Sequence, residues 1–271
     1  MMERPLLLVG CGKMGSAMLE GWLEMGLPPE QIHIIEPYAL IAEELRGRGL
    51  DAVAAQSDLP AGLNPGIVLF AVKPQSMDEA VSAFTGYRSP NTTFLSIAAG
   101  KTIAYFENIL GAETAIVRSM PNTPAAVRRG ITVATPNANV ADQQRRICSN
   151  LLEAVGDVAW VDDEELLDAV TALSGGGPAY VFLLAECMAQ AGIDAGLPAE
   201  LSDQLARVTV SGAGELMRQS DETPSTLREN VTSPGGTTAE ALKVLMADAA
   251  WQSLMTRAIS AATARSKELA G

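Results

Sequence analysis

Gly10, Gly12 and Gly15 stand in the spacing GxGxxG, directly after the apolar run Leu6–Val9 and directly before residues that repeat at helical steps. Each glycine has a separate physical use. Gly10 permits a tight turn, Gly12 lets the backbone approach a pyrophosphate, and Gly15 lets the helix pack close to the strand. The first turn of such a helix offers unpaired N–H groups and the positive end of its dipole to an anion. On this reading Gly10, Cys11, Gly12, Lys13, Met14 and Gly15 form a dinucleotide phosphate loop. The alternative, glycines serving only a tight strand-to-helix turn, stays open at this point. Glu36 ends the second strand, where a carboxylate accepts hydrogen bonds from a ribose 2′-hydroxyl and repels a 2′-phosphate. No Arg or Lys follows it before Arg46, so the physics favours NADH over NADPH.

Further candidates end later strands. In a doubly wound sheet ligands lie beyond the strand C-termini. The stretch Ala71, Val72, Lys73, Pro74 and the small residues around Ala98 leave room there for the two riboses. Met120, Pro121 and Asn122 follow the sixth strand. The prolines stiffen that loop, and Asn122 can bond an amide or carboxylate, although Asn between prolines is also a common turn residue.

Other chemistry is missing. His33 is the one histidine and falls in mid-strand, where it reads as structural, so no histidine general acid is expected at a substrate. There is no Ser–His or Cys–His nucleophile pair, and no metal site is expected. A hydride carrier without a strong acid suits an iminium carbon, whose nitrogen already carries the positive charge. The protein then mainly orients the substrate and anchors a carboxylate. Two late glycine-rich loops precede helices. Ser174-Gly175-Gly176-Gly177-Pro178 puts a proline at a helix start, where its missing N–H costs little. Ser233-Pro234-Gly235-Gly236-Thr237-Thr238 bares N–H groups at another, with Thr237 and Glu240 spaced as a capping box.

The elements that must hold these residues alternate at first. Apolar runs at 6–9, 32–35, 52–54, 67–72, 93–97, 115–118, 131–134 and 158–161 read as strands. Helical periodicity fills 14–25, 40–46, 77–84 and 103–110. Such alternation predicts an α/β, Rossmann-type doubly wound parallel sheet with helices on both faces. After residue 162 only helices are expected: 166–173, 179–191, 199–217, 239–249 and 254–269. The predicted division is a dinucleotide-binding domain at 1–162 and a helical substrate-binding and dimerisation domain at 163–271. A helical set of that size often completes its core with a second copy, hence a homodimer.

Composition sets outer bounds on the 271 residues. Nineteen basic against thirty-two acidic side chains leave a net charge of −13, which disfavours nucleic acid and anionic lipid as partners. Hydrophobic residues at 48% supply enough material for packed cores. Cys11, Cys148 and Cys187 lie far apart and point to a reducing, cytoplasmic compartment. Leu6–Val9 is too short for a signal segment, and the most apolar helix, near 180–191, looks too short to cross a bilayer.

Taken in order and spacing, GxGxMG, AVKPQ, SMPNTPA, LSGGGPAY and SPGGTT resemble the Δ1-pyrroline-5-carboxylate reductases over essentially the whole chain. The resemblance implies reduction of pyrroline-5-carboxylate to L-proline with NAD(P)H. It also implies a Rossmann domain and a helical domain that dimerises, with larger rings built from dimers. It further implies that Ser233, Gly236 and Thr237 hold the substrate carboxylate and that Thr238 bonds the ring nitrogen as the catalytic contact. Val231, with Asn230 nearby, would line the ring pocket, and Met120, Pro121 and Pro178 would shape the nicotinamide face. Two positions depart from the family. Gly176 fills a slot that is usually Ser, which removes a hydroxyl and should loosen the loop. Glu36 stands where NADPH-using members carry Ser, Thr or a basic residue. A related imine reductase and a catalytically silent nucleotide-binding protein are the competing readings.

Overall fold

Successive residues of β1 (Leu6–Val9) turn to opposite sides of a sheet, and both sides are apolar. Leu6 and Leu8 pack with Met18, Leu19 and Trp22; Leu7 and Val9 pack with Met77, Phe84 and Phe106. A strand with two greasy faces must be covered twice, which puts helices on both sides. The computed structural model describes residues 3–270; Met1, Met2 and Gly271, the outermost residues of the expected domains, lie outside them.

The chain divides into two compact units: residues up to Gly175 together with those from Ala262 onward, and residues 176–261. In the first unit the elements run β1, α1 (Lys13–Glu24), β2 (Ile32–Ile35), α2 (Ala39–Gly47), β3 (Asp51–Val53), β4 (Ile67–Phe70), α3 (Met77–Ala83), β5 (Thr93–Ser96), α4 (Ile103–Leu110), β6 (Ala115–Met120), β7 (Gly130–Pro136), α5 (Asp142–Glu153) and β8 (Gly156–Trp160). The sheet order is β3-β2-β1-β4-β5-β6-β7-β8, with β1 to β6 parallel. Crossovers leave β1 in both directions, so the switch point lies between β1 and β4, directly beyond Gly10. At the centre Phe70 stacks on Phe94 and Phe106 at 6.1 and 6.0 Å and meets Phe84 edge-on at 5.8 Å.

The last two strands depart from an all-parallel sheet. β7 runs antiparallel to β6, and β8 is parallel to β7. The cause is chain length: residues 121–129 are too few for the helical crossover that a parallel pair requires. Several strands also differ at their ends from the apolar runs that mark them. β4 stops at Phe70, for instance, which releases Ala71 and Val72 into the loop.

Residues 166–194 form one helical run: α6 (Leu166–Val170), a π-helical turn (Thr171–Gly175) and α7 (Gly177–Asp194). The run is 29 residues long with a mean hydropathy of 1.3 over its most apolar window, long and apolar enough to cross a membrane. This corrects the expectation from 180–191 alone, because the helix continues through the glycine-rich loop. Four more helices follow: α8 (Ala199–Gln219), α9 (Pro224–Asn230), α10 (Thr237–Leu245) and α11 (Trp251–Ala270). α7 and α8 meet through small residues, and Ser202 donates its hydroxyl to the Ala189 carbonyl at 2.6 Å. Cys11 and Cys148 are buried, while Cys187 on α7 is exposed.

Candidate active site

The glycine loop is shaped as its spacing predicts. Gly10 has φ +93°, and a Cβ there would sit 2.9 Å from Val72 Cγ1. A Cβ on Gly15 would overlap the Gly10 carbonyl, so helix and loop can be this close only without one. At Gly12, the N-cap of α1, a Cβ would meet nothing within 4 Å, so the backbone faces open space. No side chain caps α1, and the N–H groups of Lys13, Met14 and Gly15 have no intrahelical acceptor. A loop of this form fits a dinucleotide pyrophosphate. Lys13 and Lys73 are exposed after β1 and just beyond β4, and among the described residues neither is in an ion pair. Two cationic side chains at this edge offset a strongly acidic chain where phosphates would arrive.

Glu36 is more deeply engaged than its position suggests. It is only 3% exposed. Oε2 accepts the Cys11 N–H at 2.8 Å, and Oε1 accepts the Tyr38 N–H at 2.9 Å. The carboxylate therefore clamps the glycine loop to the end of β2, and each oxygen keeps a lone pair for a ribose hydroxyl. Cys11 is buried beside it, and burial pushes its thiol up. The Tyr38 ring, 70% exposed at the start of α2, borders the same corner; only its place two residues after the acid hints at this.

Beyond β4, Ala71 and Val72 are half-buried, Lys73 is exposed, and Pro74 opens a 3₁₀ turn to Ser76. Ala98 is buried after β5. Next to it lies a cluster that sequence reasoning misses. Asp78 accepts the Tyr105 hydroxyl at 2.6 Å and Lys101 Nζ at 3.1 Å, and Lys101 also sits 4.1 Å from the Tyr105 ring centre. The Tyr105 hydrogen bond, then Lys101, holds the Asp78 carboxyl below the usual range. Burial, then Asp78, pushes the Tyr105 hydroxyl up. After β6, Pro121 is buried and Met120 half-buried. Asn122 spends both ends of its amide within the unit: Oδ1 accepts the Ile131 N–H at 2.9 Å, and Nδ2 donates to the Ser174 carbonyl at 3.2 Å. His33 pairs with Asp51 at 2.5 Å across β2 and β3, the structural place expected of it.

In the second unit the SPGGTT loop leads into α10. Gly235 has φ +70°, and the Gly236 N–H closes a turn on the Ser233 carbonyl at 3.0 Å. The expected capping box does not form. Gly236, not Thr237, is the N-cap, which makes Thr237 the first helical residue and places Glu240 out of reach; Glu240 bonds Lys243 instead at 2.6 Å. As a result no side chain covers the helix start. Among the described residues, the N–H groups of Thr237 and Thr238 and both hydroxyls have no hydrogen-bond partner, and both residues are exposed. Val231 follows α9 and is 63% exposed, while Asn230 bonds Glu222 at 3.0 Å. Pro178 lies in the first turn of α7 and is half-buried. An uncapped helix start with adjacent hydroxyls is chemically a carboxylate cradle.

Comparison with known proteins bears on both halves. Residues 164–269 match a family model described as pyrroline-5-carboxylate reductase dimerisation, and residues 6–100 match one described as NADP oxidoreductase, coenzyme F420-dependent. A pyrroline-5-carboxylate reductase of Pseudomonas aeruginosa is 38% identical over 263 residues, covering 97% of this chain and 95% of that one. The structure of a pyrroline-5-carboxylate reductase from Coxiella burnetii superposes with a TM-score of 0.93 at 32% identity, each chain covered in full. A Plasmodium falciparum pyrroline carboxylate reductase with NADP bound gives 0.82 at 30% identity, again with full coverage of both.

Proposed function

The chain belongs to the pyrroline-5-carboxylate reductase family, and on that premise we propose that it reduces 1-pyrroline-5-carboxylate to L-proline with NAD(P)H, the last step of proline biosynthesis. It is an oxidoreductase acting on a C=N bond. The observation that carries the reading is the uncapped start of α10, with Thr237, Thr238 and their free N–H groups behind the Gly235–Gly236 turn.

In this reading Ser233, Gly236 and Thr237 hold the substrate carboxylate, an interaction worth about 1–2 kcal/mol from the helix end. That orients the ring. Thr238 bonds the ring nitrogen, and Val231 lines the ring. The reduced nicotinamide, when bound, supplies the hydride. Gly10, Cys11, Gly12, Lys13, Met14 and Gly15 would hold its pyrophosphate, Ala71, Val72, Lys73, Pro74 and Ala98 its riboses, and Met120, Pro121 and Pro178 the nicotinamide face, with Asn122 part of the same cofactor loop. Glu36, fixed by two backbone N–H groups, would accept the adenosine ribose hydroxyl and repel a 2′-phosphate, which favours NADH. Because the imine nitrogen is protonated before attack, no strong side-chain acid is needed, and the one histidine of the sequence is paired with Asp51 across β2 and β3.

We place the functional division at 1–162 and 163–271, and the partner of the helical part is a second copy of the chain. The exposed apolar side chains Phe182, Leu183, Leu205 and Val208 meet their equivalents rather than lipid, giving a cytoplasmic homodimer from which larger rings can be built. Loss of reduced-nicotinamide absorbance on adding pyrroline-5-carboxylate tests the activity; no turnover with either coenzyme would overturn it. Faster turnover of a six-membered cyclic imine would instead favour a related imine reductase. Thr238→Ala should cut kcat at least tenfold while NADH affinity stays within about threefold. Lost cofactor binding in that variant would refute the role given to Thr238.

A further inference from the structure

Two segments 52 positions apart are locked together inside the first unit: the loop after β6 and the end of the π-helical turn. The lock has a specific cause in the sequence. In a continuing helix the Ser174 carbonyl would accept the N–H of residue 178, four positions on. That residue is proline and has none. The next N–H, of Ala179, goes to Gly176 at 3.0 Å. The Asn122 side chain donates to Ser174 at 3.2 Å in place of the missing group. Its other end accepts the Ile131 N–H at 2.9 Å, so the amide cannot rotate away without losing both bonds.

The turn is also stitched to itself. Thr171 donates to the Leu167 carbonyl at 2.7 Å, and Ser174 Oγ donates to the Val170 carbonyl at 3.0 Å. Met120, two residues before Asn122, reaches the turn too: its terminal methyl would lie 2.6 Å from a Cβ on Gly175. π-turns within helices are rare and often mark functional sites.

We infer that Asn122 is a positioning residue for the reduction: by replacing the N–H that Pro178 lacks, it fixes Met120 and Pro121 against the π-turn and so sets where the nicotinamide face is held. The inference rests on the function proposed above. It gives Asn122 a task other than direct contact with the cofactor, and it explains why the PN of SMPNTP and the SGGGP stretch belong together.

The test is Asn122→Asp. The carboxylate still accepts the Ile131 N–H but turns an acceptor toward the Ser174 carbonyl. Expected are a fall in kcat of about tenfold or more, an NADH Kd within about threefold of the parent, and faster amide hydrogen exchange across 171–177 but not at Ile131. Adding Pro178→Ala restores an N–H at 178, so the double variant should recover slow exchange across the turn and part of kcat. NADH binding weakened tenfold with exchange unchanged would make Asn122 a direct ligand and overturn the inference, as would no change in either readout. If Asn122→Asp does not fold, the unaltered protein decides: its Asn122 side-chain amide protons should exchange slowly, and free exchange would overturn the assignment. A parent protein with no reductase activity would dispose of the proposed function while leaving the exchange result to judge the lock.

Discussion

The first unit closes its own core, and the second does not. In β1, Leu6, Leu7 and Leu8 are fully buried, as are Val68, Leu69 and Phe70 in β4. Across residues 176–261, by contrast, only Ser202 and Ala206 are buried, each 2% exposed, although α7 and α8 are rich in Leu, Val and Met. The material is similar and the outcome opposite. A sheet covered on both faces consumes its apolar side chains within one chain. Long helices joined by short loops leave a stripe each, which needs a second copy. The difference carries over to the candidate loops: the glycine loop after β1 is shaped within one unit, while the SPGGTT loop lies open on a unit without a core of its own.

Four changes probe that contrast. Phe70→Ala removes a ring that packs against three others and should cost about 3–5 kcal/mol. The fall in Tm should not depend on protein concentration; a concentration-dependent loss would mean that the first unit is not self-sufficient. Phe182→Ala, at a side chain 63% exposed in the single chain, should cost about 1–2 kcal/mol. Its Tm deficit should shrink as protein concentration rises, and dilution should abolish turnover before it abolishes NADH binding. A deficit equal at all concentrations would detach α7 from the dimer contact. Glu36→Ser should raise the NADPH-to-NADH ratio of kcat/KM about tenfold, equivalent to about 1.4 kcal/mol. An unchanged ratio would leave the carboxylate as a loop clamp alone.

The smallest effect concerns Asp78 and Tyr105. A depressed carboxyl adds stability above its ordinary pKa, and that contribution is lost as pH falls below about 4. A raised tyrosine hydroxyl adds stability below its ordinary pKa, and that contribution is lost as pH rises above about 10. Tyr105→Phe should therefore lower the middle of a Tm–pH curve, between about 4 and about 10, and leave its acid and alkaline ends nearly unchanged. An equal fall in Tm at every pH would point to packing rather than ionisation.

Periodicity in the sequence marks the strands because buried parallel strands are continuous apolar runs, and GxGxxG marks the loop because only glycine satisfies its backbone. Direction is not encoded that way: nothing in 130–136 says that β7 runs backwards, since that follows from the short connection before it. α5 hides for another reason. Its stripe of Ile147, Cys148, Leu151 and Leu152 is narrow and set among Arg, Gln and Asn, so a reading weighted to apolar runs passes over it. The candidate site is readable from the sequence as a proposed set of positions, but its hydrogen bonds are not. Glu36 is where the motif puts it, yet its two backbone partners are visible only in three dimensions. The start of α10 slips one residue from the capping-box pattern because Gly236 takes the cap.

The distribution of the three thiols has a practical use. Burial pushes Cys148 up to about 12 and raises Cys11 as well, so neither presents a thiolate to reagents in mildly alkaline solution. Cys187 alone is open, midway along α7. A maleimide dye should thus tag the chain at a single position without any mutagenesis, and a tagging rate that falls as protein concentration rises would place α7 in the contact between two copies.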